Sequence, residues 1–549
     1  MNILGISGAF GHDPAAALVS DGVLVGACEE ERFTRQKRGV RQPAMHSVQA
    51  CLDMGGIDLA DVDHIAIGWN PDLAPHDLRL RDSLANFLAS HRLIRESPPP
   101  IRCVPHHLAH AALAYFTSGF DDAAILVVDG QGEDVATTIF HGRGRKIEER
   151  LRFGIADSLG FFYAAVTRYL GFSAGGGGKS MGLAASGLPT YDFPEFTLSP
   201  DGYRIKMAGD DKPARMTNWM RRFDEVFGPP AATSFRMDAS TGLLQSPAEL
   251  PPHLCNAAAS AQAILESALV HLARLALRHT GSRNLVFSGG VALNCSANGR
   301  IRDAIRDAQL FVNGAAHDGG TALGAAFALA TECGEPVPLV RSRSMFTGPS
   351  FDPGPTVLRA RRLGLTVTST GGDIASLVSR RLMESRVGGW FSGRSEYGPR
   401  ALGGRSIIAR SDRIDVRSRV NAIKGRESWR PLAPAMTADA AAAVGVGSDG
   451  LDFMIEARWL SPEHIEGPLA GIVHLDNSVR PLVVTEDWHP FFDLLQAVRD
   501  DTGHGVVTNT SFNQEFEPMV NSPMDALRTF VASDLDFLVL EDTLVEKRH

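Results

Sequence analysis

The feature that most constrains this chain is a unit that recurs along it: a short β-run that ends in a glycine-rich turn and returns as a second β-run. The first copy comprises residues 3–6, a turn from Gly8 to His12, residues 16–19, a Ser20-Asp21-Gly22 turn and residues 23–27. Apolar runs joined by Asp-Gly predict a β-hairpin. The second copy runs from residue 125 through Asp129, Gly130 and Gly132, then continues over residues 135–140 to His141-Gly142. A third glycine turn, Ser288-Gly289-Gly290, closes another β-run and opens toward a helix. A single loop of this kind is an ordinary hairpin, but three in this order argue for an internal repeat. At each turn small residues leave backbone N–H groups where a phosphate can sit.

Two strand–turn–strand loops followed by a strand, Gly-Gly and helix resemble the layout of the acetate kinase, sugar kinase and actin type of ATPase fold. Apolar spacing predicts helices over 109–116, 257–279 and 324–331. Pro and Gly crowd residues 334–355, and such residues end helices and strands. The predicted domains are 1–345 and 356–549. The irregular segment 200–252, with Trp219 and several prolines, reads as an insertion that shapes a substrate pocket.

Charge sharpens the division. The chain of 549 residues carries −9 overall, which disfavours broad binding to nucleic acid. Yet residues 380–430 hold thirteen Arg or Lys against five Asp or Glu, a net +8, leaving −17 for the rest. Guanidiniums spaced between Gly393, Gly398, Gly403 and Gly404 are expected to wrap an anion. No apolar run is long enough for a membrane helix and the first residues lack a basic leader, so a cytoplasmic protein is expected. Six scattered cysteines without C-x-x-C pairs fit a reducing compartment.

His106 and His110 stand four apart after Pro105, which places both imidazoles on one helix face, the spacing of two ligands to one metal. A zinc-protease motif would have Glu where His107 stands, so that reading lacks its base. A structural histidine pair is the alternative. Asp129 and Asp318, each in a glycine turn, would complete an N/O set suited to Fe(II), Mn(II) or Zn(II).

These segments combine with others into a pattern that spans nearly the whole chain. Gly11-His12-Asp13-Pro14, Glu30-Glu31-Arg32-Phe33 with Lys37, the His106 to Ala111 motif, Gly178-Lys179, Met181-Gly182-Leu183-Ala184, Gly289 to Asn294 and His317-Asp318 make up its first part. Gly393-Arg394, Gly398-Pro399-Arg400-Ala401-Leu402-Gly403, Lys424, Arg426-Glu427, Arg430-Pro431, Asn509 to Asn513 and Glu517-Pro518 make up the second. The pattern strongly resembles the O-carbamoyltransferases of nodulation factors, cephems and tobramycin. That resemblance implies an actin-like ATPase (threonylcarbamoyltransferase-like) N-terminal domain and a YrdC-like C-terminal α/β domain. It implies that carbamoyl phosphate and ATP, with Mg(II), form a carbamoyl adenylate, and that a small hydroxylated natural product of the antibiotic kind accepts the carbamoyl group. By the same likeness His12 is the base and Lys37 stabilises developing charge. His106, His110, Asp129 and Asp318 hold a divalent metal, Fe(II) first among the candidates, while Lys179, Gly289, Gly290 and Asn294 hold the nucleotide. Arg400, Lys424, Arg430, Arg480, Ser511 and Asn513 contact carbamoyl phosphate or the ATP phosphates. The chain departs from the pattern at Asn477, Leu482 and Gly177, which bears on fine substrate contacts. Oligomeric state stays open between monomer and homodimer.

Three other readings share parts of this pattern. A tRNA threonylcarbamoylation enzyme resembles the two halves, but the acidic N-terminal half argues against a large RNA acceptor. A sugar or carboxylate kinase would leave the arginine-rich half without a task. A nucleotide-gated regulatory protein would have no need of Asp318.

Overall fold

The computed structural model describes residues 1–8, 11–73, 99–173, 175–209, 211–231, 236–237, 244–245 and 250–548. The chain divides into two compact units, 1–233 with 250–343, and 344–549 with 234–249.

In the first unit β1 (Asn2–Ile6), β2 (Ala15–Ser20) and β3 (Val23–Glu29) form an antiparallel meander. Strands β4 (His64–Ile67) and β5 (Ile101–Cys103) add in parallel beyond β1, giving the order β3-β2-β1-β4-β5. The second sheet repeats this plan. Its meander is β6 (Asp122–Val128), β7 (Val135–Arg143) and β8 (Lys146–Gly154). A small hairpin, β9 (Phe196–Ser199) with β10 (Gly202–Ile205), and a two-residue pair, β11 (Arg236–Met237) with β12 (Leu244–Gln245), come next in the chain. Then β13 (Asn284–Ser288) and β14 (Gln309–Val312) extend the second sheet in parallel, giving β8-β7-β6-β13-β14. The same order and the same strand senses occur twice, so the first unit is a duplicated α/β domain.

The helices tie the two copies together. His106–Phe116 follows the first sheet in sequence but packs on β6, β7 and β13, whereas Thr321–Glu332 follows the second sheet and packs on β1, β2 and β4. The two helices also pack on each other. Both are rich in alanine and buried, so their backbones approach closely. A Cβ at Gly324 would lie 1.8 Å from the Ala109 carbonyl oxygen, and one at Gly5 would lie 1.9 Å from that of Ala322. Only glycine fits at these crossings.

All three predicted helices form, each longer than its apolar pattern: His106–Phe116, Pro252–Thr280 and Thr321–Glu332. Of the 200–252 insertion, residues 210, 232–235, 238–243 and 246–249 lie outside the described residues. Its helix Lys212–Phe227 is capped by Asp211, whose carboxylate accepts the Ala214 N–H at 2.8 Å. Trp219 of this helix is buried against Phe162, Phe196 and Phe223.

The second unit is built on a mixed sheet of β15 (Thr366–Ser369), β16 (Gly388–Phe391), β17 (Arg405–Arg410), β18 (Ala433–Met436), β21 (Leu482–Val483), β22 (Val506–Ser511), β23 (Phe537–Leu540) and β24 (Thr543–Glu546). A separate pair, β19 (Arg458–Trp459) with β20 (Ser478–Val479), accompanies it. The order of the main sheet is β15-β24-β23-β16-β17-β22-β18-β21. Phe391, Met436, Phe512, Phe530 and Leu538 belong to its core. Among the described residues no helix is long and apolar enough to cross a membrane, and all six cysteines are free thiols.

Candidate active site

Four side chains from separate segments of the first unit converge. His106 and His110 come from the first two turns of their helix, Asp129 from the end of β6, and Asp318 from the turn after β14. Their ligand atoms all lie within 4.8 Å of one another. His106 Nε2 is 3.1 Å from His110 Nε2 and 3.2 Å from Asp129 Oδ2. Asp318 Oδ1 is 3.8 Å from both imidazoles. The His106 ring is oriented from behind: Nδ1 lies 2.9 Å from the Gly68 carbonyl, which can only accept, so Nδ1 donates and Nε2 meets the group. His107, next to His106, faces Thr138 and is pushed down to about 3 by burial and by the charge on His106.

This group demands positive charge. Burial disfavours an imidazolium at His106, yet hydrogen bonds to Asp129 and Asp318 hold the proton on it well above the usual histidine range. Burial and the Asp318 charge work against the Asp129 carboxylate, yet hydrogen bonds from His106 and His110 keep it ionised below the usual range. A divalent cation supplies the same charge, and two imidazoles with two carboxylates form a donor set that fits one.

The surroundings position these ligands. Asp129 Oδ1 accepts the Gly130 N–H at 2.7 Å and the Gly290 N–H at 3.3 Å. A Cβ at Gly290 would lie 2.9 Å from that oxygen, and Gly289, at φ +93°, would place its Cβ 2.2 Å from the Val128 carbonyl oxygen. The Gly-Gly turn is therefore shaped around Asp129. His12 Nδ1 is 2.8 Å from Asp13 Oδ2 and 3.6 Å from Asp318 Oδ2. Burial opposes its protonation, but Asp13 and Asp318 raise it above the usual histidine value. Lys37 sits exposed on the turn Lys37–Gly39, and its neighbour Arg38 donates to Asp13 Oδ2 at 3.3 Å. Lys179 is on the helix that Gly177 opens, with its ammonium 5.6 Å from the Phe172 ring centre. Met181 of that helix meets Cys295, next to Asn294, through a 3.6 Å sulfur–sulfur contact. The Asn294 side chain caps its own helix, accepting the Ala297 N–H at 3.0 Å, and pairs with the Gln262 amide at 3.0 Å.

In the second unit part of the glycine–arginine run is taken up internally. Glu396 Oε1 accepts the N–H groups of Leu402, Gly404 and Arg405 at 3.0, 2.8 and 2.9 Å. Arg405 is buried and donates to the carbonyls of Ser392, Gly393, Gly404 and Asn521, and Arg394 donates to those of Thr347 and Gly348. Arg400 of the same run is half-buried. A second cationic cluster lies further along. Lys424 is buried, with Nζ donating at 2.9 Å to both the carbonyl and Oδ1 of Asn513 and reaching Ser511 Oγ at 3.2 Å. Arg430 pairs with Glu515 at 2.5 Å. Burial and the neighbouring charges of Arg430 and Arg480 push the Arg426 guanidinium well below its usual range. Buried nitrogens of Arg426 (Nη2) and Arg480 (Nε) lack a hydrogen-bond partner among the described residues. An anion would satisfy both the charge and the donors. Asn477, one of the departures, has φ +61°, so its backbone adopts the left-handed conformation that a glycine would.

Descriptions of carbamoyltransferase domains match both parts of the chain, the N-terminal one over residues 2–79 and 80–327 and the C-terminal one over 379–547. The chain belongs to the carbamoyltransferase family. It is a transferase enzyme of that family, and curated relatives align along it. Nodulation protein NolNO of Sinorhizobium fredii is 32% identical, with 100% of this chain and 81% of the relative covered. An uncharacterized Synechocystis protein, sll1178, is 34% identical over 100% of this chain and 97% of its own length. Nodulation protein U of Rhizobium tropici is 28% identical over 93% and 91%. Among solved structures, full-length HypF in its phosphate- and nucleotide-bound form aligns at 13% identity and a TM-score of 0.35, covering 61% of this chain and 56% of that one.

Some residues around the carbamoyltransferase's site carry no sequence signal of their own. Glu133, buried in the β6–β7 turn, accepts the His106 N–H at 2.9 Å and the Asn70 N–H at 2.7 Å through Oε1. Glu29 joins Arg32 at 2.6 Å and His317 at 2.7 Å, and the chain thus fixes the residue before Asp318. Arg426 does have a signal, since it stands in the motif with Lys424, although it is absent from the residues expected to touch phosphate.

Proposed function

We propose that the chain is an ATP-dependent O-carbamoyltransferase that works through a carbamoyl adenylate and acts on a hydroxyl of a small natural product. The reading assigns activation to the second unit, taken as YrdC-like, and transfer to the first. What supports it is one observation: a chain of the carbamoyltransferase family carries an N/O group that could hold a cation in one unit and a separate cluster of cationic side chains around buried Lys424 in the other.

In the second unit Arg400, Lys424, Arg426, Arg430 and Arg480, with Ser511 and Asn513, bind carbamoyl phosphate and the ATP phosphates. Water releases inorganic phosphate and leaves carbamate; a carbamate oxygen attacks the α-phosphorus and pyrophosphate departs. This chemistry needs positioning and charge neutralisation rather than a protein nucleophile, which accounts for the Arg and Lys. In the first unit Lys179 and the turns at Gly289 and Asn294 cradle the adenylate. His12, oriented by Asp13, takes the proton of the acceptor hydroxyl as its oxygen attacks the carbamoyl carbon, and AMP leaves. Lys37 and Arg38 add positive charge on the same side. His106, His110, Asp129 and Asp318 would hold a divalent metal, Fe(II) before Mn(II) or Zn(II). When bound, that ion supplies Lewis-acid polarisation of the oxygens near it.

The test is product analysis with carbamoyl phosphate and ATP. Carbamoyl-phosphate-dependent formation of AMP and pyrophosphate supports the reading, whereas ADP as the sole nucleotide product refutes it.

A further inference from the structure

The motif Glu30-Glu31-Arg32-Phe33 has no task in the proposed chemistry, yet the first unit uses it as a set of carboxylate anchors. Arg32 is buried at its centre. Its Nε and Nη2 donate to Glu29 Oε2 at 3.0 and 2.6 Å, and its Nη1 lies 3.6 Å from Glu31 Oε1. Glu30, also buried, accepts the N–H groups of His46 at 3.2 Å and Ser47 at 2.8 Å, at the start of the helix Met45–Gly55. Glu31 reaches forward along the chain, where its Oε2 accepts the Arg38 N–H at 2.6 Å.

What Glu31 holds is the loop 35–42, and that loop grips the turn of His12 on both sides. The Arg38 carbonyl accepts the Asp13 N–H at 2.8 Å, and the Arg41 N–H donates to the Gly11 carbonyl at 3.0 Å. His12 therefore sits between two main-chain hydrogen bonds to one loop. The Arg38 guanidinium adds a third tie, to Asp13 Oδ2 at 3.3 Å, the same oxygen that lies 2.8 Å from His12 Nδ1. Packing is close as well: a Cβ at Gly39 would lie 2.7 Å from Pro14 Cγ. Backbone preference does not shape this loop. Arg35, Arg38 and Arg41 have φ of +59°, +66° and +59°, a left-handed conformation that arginine keeps only where its surroundings fix it. The Glu31 carboxylate on the Arg38 N–H is such a fixture, and its charge makes that bond stronger than one to a neutral acceptor.

We infer that Glu31 is a positioning residue for the transfer step: by anchoring Arg38 it sets the loop that holds His12 against Asp13 and carries Lys37. It acts through the loop and not on the acceptor. The inference rests on the proposed role of His12 as the base, and it gives the motif a task in that role.

Hydrogen exchange of the full chain, read by mass spectrometry, tests the grip on the turn, and carbethoxylation by diethyl pyrocarbonate tests the His12 imidazole. In Glu31→Ala the peptides that cover 11–14 and 36–42 should exchange at least about tenfold faster. His12 should be modified at least about threefold faster, measured against His279, which is exposed near the end of the helix Pro252–Thr280. Glu31→Gln keeps an oxygen for the Arg38 N–H, so both readings should return to within about twofold of wild type. The helix Thr321–Glu332 should exchange as in wild type in both variants, which shows that the unit is folded. Unchanged exchange over 11–14 in Glu31→Ala, unchanged reactivity of His12, a Gln variant no better than Ala, or a loss of protection that spreads to Thr321–Glu332 overturns the inference. Neither reading needs turnover, so failure of the proposed reaction shows separately: His12→Asn with full transfer removes the base and leaves the exchange result as a property of the loop.

Discussion

Glu133 anchors the helix that carries two of the four converging residues, so its removal tests the construction of the site. Its buried Oε1 accepts two backbone N–H groups, those of Asn70 and of His106, the first residue of the helix. Glu133→Ala leaves both donors buried without that acceptor, at about 1–3 kcal/mol each, or about 2–6 kcal/mol in all. Glu133→Gln keeps an acceptor of the same shape but loses the charge, which costs about 1 kcal/mol per bond and weakens the interaction with the helix N-terminus. At roughly 2 °C per kcal/mol for a unit of this size, the Ala variant should melt at least about 4 °C below wild type, and Gln should fall between them. The rings of His106 and His110 would also lose their fixed approach to Asp129. Metal affinity, read by chelator competition, should drop about 10- to 100-fold in the Ala variant. Scanning calorimetry and the chelator titration together decide the matter. If both variants melt within about 1 °C of wild type and hold metal equally well, the carboxylate does not organise this helix.

Further outcomes follow from other contacts. Gly290→Ala puts a methyl 2.9 Å from Asp129 Oδ1 and should lower carbamoyl transfer at least tenfold with an unchanged far-UV spectrum, since the carboxylate must move. His12→Asn should abolish transfer to the acceptor and leave AMP and pyrophosphate formation intact; unchanged turnover would remove His12 as the base. In the second unit the hydrogen bond from Arg410 holds the Asp412 carboxyl below its usual value. Its contribution to stability is therefore present above the unfolded carboxyl's value of about 3.9 and is lost as pH falls through the depressed folded one. Denaturant melts of wild type and Asp412→Asn should thus differ at pH 7 and converge in acid.

The repeated glycine turns made the duplicated sheets legible, because alternation and turn chemistry act over a few residues. The exchange of helices between the sheets was not legible: nothing in the run from His106 to Phe116 says which sheet its alanines cover. His106 and His110 were visible through their helical spacing, and Asp129 and Asp318 through the glycine turns that hold them. Glu133 was invisible because its partners are backbone groups, which leave no mark on residue type. Within the arginine-rich stretch, a net charge does not reveal that Glu396 takes the N–H groups of Leu402, Gly404 and Arg405.

The exchanged helices also bear on how such a domain can arise and be divided. Each half keeps its own sheet but lends its helix to the other, the relation seen between domain-swapped partners, made permanent here by a covalent connection. A half on its own would leave the alanine face of that helix uncovered and would need a second copy to cover it. Fragments split between the halves should regain His106 and Asp129 as neighbours only by complementing one another.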